Sequence, residues 1–260
     1  MGAGIESHED HPKEYWRYEY DVAARYMAPL LREWGVVLRD ADVIDVGCGE
    51  GGGVCSFHDL GARCVGFDVD AQRIAVAQQL QEDRGMPLML GSLYDDPLPF
   101  GDRQFDLVVL HDVFEHLDNK ADMLERLRQY CKPSGKLLIT FPPYYSPYGA
   151  HQQHLRSTFG KLPFFHLLPL SISAVLPRMK KEHPHVIEEV RKLGTHKMGM
   201  RKFERLAQKT GMSIVGKQAY LISPNHIRFG LKPIPAGPLA DVPLLSEIAC
   251  TGVVYLLGTS

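Results

Sequence analysis

Short, almost wholly apolar runs alternate along this chain with longer stretches in which apolar residues recur every three or four positions. The short runs cover residues 43–46, 63–67, 88–90, 105–110, 136–141, 213–221 and 251–257. Strands buried on both faces read this way, because helices cover both sides of a parallel sheet. Helical spacing predicts helices over 15–34, 54–60, 71–84, 122–130 and 200–209, with Gly35, Gly85 and Gly211 as stops. Alternating strands and helices of these lengths predict an α/β fold, with helices on both faces of a mostly parallel sheet.

Two stretches break the rhythm. Residues 144–200 are too long for a simple connection and begin with Tyr144, Tyr145, Tyr148, His151, Gln152, Gln153 and His154. A very apolar segment follows over 162–177, interrupted by Pro163, Pro169 and Pro177, and then a charged one over 178–192. Long insertions in compact domains are commonly functional lids, and this composition argues against disorder. The expectation is a substrate cap, with the Pro-rich stretch 223–245 as its second part. The remaining layout is a single domain over 1–260, opened by an aromatic-rich helical lid within 1–38.

Composition narrows the class only modestly. A net charge of −2 over 260 residues gives no global drive toward nucleic acid or an anionic membrane. The five cysteines are scattered, odd in number and without metal-ligand spacing, so reduced thiols, a cytoplasmic location and no metal site are expected. No apolar run reaches the length of a membrane span, and the polar start of the chain does not read as a secretory signal.

The candidate chemistry begins at the first strand. Gly47, Gly49 and Gly52 satisfy G-x-G-x-x-G directly after the run 43–46, a strand–turn–helix arrangement that lets backbone approach a ligand closely. Asp45 separates this loop from dinucleotide-binding ones. A pyrophosphate would be repelled by a carboxylate two residues before the first glycine, whereas a ligand ammonium would be attracted. An NAD-linked oxidoreductase is therefore the weaker alternative. Asp68 ends the second strand about twenty residues past the glycines, where an acid can accept hydrogen bonds from ribose hydroxyls. Its competing role is a helix cap, for which Asp70 is better placed.

Asp45-Val46-Gly47-Cys48-Gly49-Glu50-Gly51 resembles the D-x-G-x-G-x-G motif of class I S-adenosylmethionine (SAM)-dependent methyltransferases. Leu98-Pro99-Phe100, Phe105-Asp106, Glu115-His116-Leu117 and Lys132-Pro133-Ser134-Gly135 follow at compatible spacings. Together they resemble the methyltransferases of ubiquinone and menaquinone synthesis over residues 40–142. The resemblance implies a Rossmann-like seven-stranded sheet with its last strand antiparallel. It also implies SAM as cofactor, S-adenosylhomocysteine as product, and contacts from Asp45, Gly47, Cys48, Gly49, Asp68, Val69, Ser92, Leu93 and His111. Tyr15, Arg17 or Tyr20 would close over the cofactor. Ser92 stands where the family often has an aspartate for the adenine amino group. Phe141-Pro142-Pro143-Tyr144 resembles an amide-methylating motif but lacks its leading amide, which argues against nucleobase or amide methylation.

Methyl transfer to oxygen or nitrogen benefits from a base titrating near neutrality. His151 and His154 are the candidates, with His111 as competitor; Glu115 and His116 read as structural. The expected acceptor is small or lipid-like with an apolar or aromatic part. The segment 162–177 would line its pocket, form a homodimer contact or touch a membrane transiently. A non-catalytic SAM-binding regulator or assembly protein is the remaining alternative.

Overall fold

A computed structural model of the chain describes residues 11–96, 98–155, 157–173, 182 and 184–259. Eight strands form one sheet: β1 (Asp42–Val46), β2 (Arg63–Asp68), β3 (Leu88–Leu90), β4 (Phe105–His111), β5 (Cys131–Phe141), β6 (Met212–Ile222), β7 (Ile234–Pro235) and β8 (Gly252–Thr259), in the order β3-β2-β1-β4-β5-β8-β6-β7. The pairings β1/β2, β1/β4, β2/β3 and β4/β5 are parallel. β8 runs against β6: Ser213 Oγ donates to Gly258 O at 3.4 Å, and Thr251 N donates to Tyr220 O at 2.9 Å, so one strand ascends in number as the other falls. The count exceeds the expected seven by β7. This two-residue edge strand pairs antiparallel with β6 inside the Pro-rich stretch, too short to leave a periodic signal.

Strand order reverses at β1, whose neighbours are β2 and β4. Open α/β sheets bind ligands at the C-terminal strand ends beside such a switch point. Ile44, Val43 and Val46 in β1, and Leu107 to Leu110 in β4, are almost completely buried, as expected for strands covered on both faces. The family-like turn at Lys132-Pro133-Ser134-Gly135 lies within β5, where the pairing with β4 shifts register between Phe105 and Leu107. The five cysteines are free and buried.

The described chain divides into two compact units. The first comprises residues 11–140, 206–217 and 254–259. Its helices include α1 (Pro12–Val22), α2 (Ala28–Glu33), α3 (Gly52–Asp59), α4 (Ala71–Leu80) and α5 (Lys120–Gln129). The expected single helix over 15–34 is α1 and α2 joined through a π-helical turn, Ala23–Met27. Helix α4 ends at Leu80, and a 3₁₀ turn, Glu82–Arg84, completes the stretch read as helix to 84.

The second unit comprises residues 141–205 and 218–253 and so contains the cap expected over 144–200 and its Pro-rich second part. Short 3₁₀ turns and α6 (Leu170–Ser173) carry its first half; α7 (Pro184–His196), α8 (Met200–Lys209) up to Arg205, and α9 (Leu245–Ala249) carry the rest. Tyr144, Ala150, Val190 and Leu193 form one apolar core, and Leu155, Phe165, Val186 and Ile187, with Phe159 against them, form another. Glu247 of α9 accepts hydrogen bonds from Met200 N (3.0 Å) and Arg201 N (2.8 Å), capping the otherwise unsatisfied start of α8. Met1 to Asp10 of the lid, and Val175 to Lys181 of the cap, which include the basic residues Arg178, Lys180 and Lys181, lie outside the described residues. Among the described residues no helix is long and apolar enough to cross a membrane.

Candidate active site

The glycine turn after β1 is shaped by backbone geometry. Gly47 has φ +74°, and a Cβ there would fall 2.5 Å from a Val113 methyl, so only glycine fits. Gly47 N and Cys48 N both donate to Phe67 O, at 2.8 and 3.1 Å, tying the turn to β2. Gly52 starts α3 directly beneath α1: a Cβ there would meet Trp16 O at 2.1 Å. The close approach of these two helices is what the third motif glycine permits.

Asp68 joins the two ligand-side loops. One carboxylate oxygen accepts from Gly49 N and the other from Asp70 N, both at 2.9 Å. Each oxygen retains a lone pair that can take a ribose hydroxyl. Asp70 caps α4 by accepting from Gln72 N and Arg73 N, which frees Asp68 from that duty.

A cavity of about 410 Å³ lies over this framework, within the ordinary range for small-molecule sites. Gly47, Asp68, Val69, Ser92, Leu93 and His111, all expected from sequence, line it. Val69 is 70% exposed, leaving its side chain open to a flat ring. Ser92 is engaged locally: its N donates to Asp95 at 2.7 Å and its Oγ accepts from Tyr94 N at 3.1 Å.

Other expected contacts lie elsewhere. Asp45, Cys48 and Gly49 are not on the cavity wall. Asp45 is buried behind it, with Oδ1 lacking a hydrogen-bond partner. Burial raises its carboxyl from 3.8 to about 7, against the pull of His111. Cys48 is buried, and burial pushes its thiol up. Arg17 is exposed and off the wall, and Tyr20 donates its hydroxyl to Asp59 at 3.0 Å. The reason is helical phase. On α1, positions 15, 18 and 19 share the face turned to the cavity, while 17 and 20 point away from it.

Tyr15, Tyr18 and Glu19 therefore supply the wall residues of α1. Glu19 accepts from Gly52 N at 3.3 Å and pairs with Arg73 Nη2 at 3.3 Å. Burial, more than any neighbour, raises its carboxyl well above the usual range. Arg73, on the first turn of α4, was not singled out in the sequence, where it reads as an ordinary surface position of an amphipathic helix. At the end of β4, Asp112 adopts φ +54° and is clasped by Thr140, whose Oγ1 donates to its Oδ1 at 2.9 Å. A strained residue held by a hydrogen bond beside a cavity fits a ligand-facing position. His116 also lines the cavity, within a 3₁₀ turn (Phe114–His116) preceding α5.

In the second unit His151 is buried, with φ +54°. His154 falls within a 3₁₀ turn, and its side chain lies outside the described residues. His166, also buried there, donates from Nε2 to Tyr144 O at 2.6 Å, and burial lowers its pKa below the ordinary histidine value.

Comparison with known proteins agrees with this geometry. Residues 44–139 match a family model described as a methyltransferase domain. An uncharacterized methyltransferase of Mycobacteroides abscessus is 29% identical over 161 residues, 56% of this chain and 61% of that one. A "Probable S-adenosylmethionine-dependent methyltransferase" of Mycolicibacterium smegmatis is 32% identical over 130 residues, 50% of this chain and 46% of that one. The chain thus spans less than two thirds of either relative. Magnesium protoporphyrin IX methyltransferase from Synechocystis, solved with bound S-adenosylhomocysteine, superposes with a TM-score of 0.54 at 14% identity, covering 100% of this chain and 90% of that one. A SAM-dependent methyltransferase of Mesorhizobium loti gives 0.55 at 16% identity, with 92% and 99% covered. The glycine turn and the strand order around it fall within the matched residues: residues 44–139 are similar to a methyltransferase domain, and the fold is that of the class I SAM-dependent methyltransferases it superposes on.

Proposed function

We propose that the chain is a SAM-dependent methyltransferase acting on a small or lipid-like acceptor with an apolar or aromatic part, at oxygen. The observation that carries the cofactor reading is the cavity at the C-terminal ends of β1, β2 and β4, walled by Gly47, Asp68, Val69 and His111, with the buried Asp45 two residues before that glycine. A buried carboxyl oxygen without a partner suits a ligand ammonium, and Asp68 suits a ribose. SAM fits this donor set; when bound it supplies an electrophilic methyl group on a good leaving group. The chain's own residues then orient the cofactor and exclude water.

The acceptor reading rests on the second unit. Leu162, Phe164, Leu167, Leu168 and Ile172 are exposed apolar residues within eleven positions. A patch of this kind marks a ligand, membrane or subunit contact, and its aromatic and aliphatic side chains suit an apolar acceptor. His151 or His154 removes the acceptor proton, with His111 as the competing base.

Isothermal calorimetry with S-adenosylhomocysteine, followed by turnover of candidate phenols and fatty hydroxy compounds, tests this. The expected results are cofactor binding lost in Asp68→Ala, and turnover reduced about 10² in His151→Ala or His154→Ala at unchanged cofactor affinity. Normal turnover in the double histidine variant would remove both from the base role. Liposome sedimentation separates membrane contact from a closed pocket.

A further inference from the structure

The cavity wall is rich in acids. Among the described residues that line it, Arg73 is the only arginine or lysine, whereas Glu19, Asp68 and Asp112 bring carboxylates. Arg73 lies over the glycine turn: a Cβ on Gly49 would fall 2.1 Å from its Nη2, so this glycine makes room for the guanidinium. The Tyr15 ring lies 5.6 Å from it on the lid side.

Two acids hold Arg73, and they do so unequally. Glu50 of the glycine turn accepts from both Nε, at 3.1 Å, and Nη2, at 2.6 Å. Glu19 reaches Nη2 alone, at 3.3 Å, and comes from a different element, α1. Two-point pairing of guanidinium with carboxylate is the stronger and more geometrically specific kind. Glu50 is thus the fixed partner, and Glu19 the exchangeable one.

The ligand read into this cavity carries one carboxylate besides its ammonium. Among acidic walls that carboxylate requires a cation, and Arg73 is the one permanently charged cation of the described wall. We propose that Arg73 holds the carboxylate of the cofactor's amino-acid moiety, and that Glu19 is a resident substitute, seated on Arg73 until the cofactor displaces it. This inference rests on the cofactor reading above. Binding then exchanges one carboxylate for another on the same guanidinium, and couples occupancy of the cavity to the seating of α1.

The test compares S-adenosylhomocysteine with 5′-methylthioadenosine, which keeps the adenosyl group and lacks both ammonium and carboxylate. Calorimetric affinities are measured for the full chain, Arg73→Met and Glu19→Gln. Arg73→Met is expected to weaken S-adenosylhomocysteine about tenfold or more, with 5′-methylthioadenosine changed by less than about twofold. Glu19→Gln keeps an oxygen for Gly52 N–H but removes the carboxyl that competes for Arg73. It is expected to tighten S-adenosylhomocysteine about three- to tenfold and leave 5′-methylthioadenosine unaffected.

Equal weakening of both ligands by Arg73→Met would make Arg73 scaffold and overturn the proposal. Weaker S-adenosylhomocysteine binding in Glu19→Gln would do the same, by making Glu19 a ligand rather than a competitor. Should Arg73→Met lose its native circular dichroism, Glu19→Gln decides alone. Failure of the unmodified chain to bind S-adenosylhomocysteine would overturn the cofactor reading, and this proposal with it. Binding of both ligands at a ratio neither variant changes overturns this proposal only.

Discussion

Replacing Asp45 with asparagine isolates the energetic consequence of a buried acid. The carboxyl is 5% exposed, and burial lifts it from 3.8 to about 7. At about 1.36 kcal/mol per unit, the three-unit rise corresponds to ~4 kcal/mol between its protonation states. The folded value lies above the unfolded one, so the unfolded chain ionises first as pH rises. The stability contributed by the protonated group is fully present below about pH 4 and is lost as pH climbs to about 7. Between about pH 5 and about pH 8 the loss is ~2–3 kcal/mol, and Asp45→Asn abolishes it. Urea unfolding at both pH values, for the unmodified chain and the variant, measures the difference in slope. Subtracting the variant cancels, to first order, groups titrating in both chains, Glu19 among them. An unmodified chain whose stability changes with pH as the variant's does would refute the reasoning, because Asp45 would then be ionised or solvated throughout.

Gly52→Ala should destabilise the chain by ~1–3 kcal/mol, because the new methyl collides with backbone at Trp16 and Tyr20; a melting temperature unchanged within error would contradict the close helix contact. Phe164→Ser with Leu167→Ser should weaken acceptor binding without altering S-adenosylhomocysteine affinity, since both residues are exposed; unchanged acceptor affinity would assign the patch to scaffold or a subunit contact. Phe165→Ser, by contrast, should cost about 3 kcal/mol or more in denaturant unfolding, because Phe165 belongs to a buried core rather than to the exposed patch.

The sheet was legible in sequence because its strands are buried on both faces and bounded by glycine and proline. β1, β2 and β4 appear within a residue or two of their expected limits for that reason. The glycine turn was legible because left-handed backbone and close backbone approach both call for glycine, as Gly47 at φ +74° and Gly52 against Trp16 O illustrate. What escaped was orientation. Arg17 and Tyr20 look as well placed as Tyr18 and Glu19 until the helical phase of α1 is fixed by its packing on Gly52. Arg73 escaped because its partners Glu19 and Glu50 lie 54 and 23 residues away. Ion pairs of that separation leave no periodic trace. The cores of the second unit join residues from loops, a 3₁₀ turn and α7, so its buried set could not be read from spacing.

The π-helical turn at Ala23–Met27 sets a rotational phase. Residues 15 and 19 on the cavity wall, and the buried residues 23, 27 and 31, are each four apart. In an uninterrupted α-helix each step of four over-rotates by about 40°, so the set would wind off a single face. The wider turn absorbs part of that excess, as a vernier absorbs a mismatch between two scales. Regular α-helical winding of these five residues at unchanged length would swing α1 by roughly 90° relative to α2. Glu19 and Tyr15 would leave the cavity although neither had been altered. The winding of this turn, rather than the identity of any residue in it, is therefore the quantity that a redesign of α1 has to preserve.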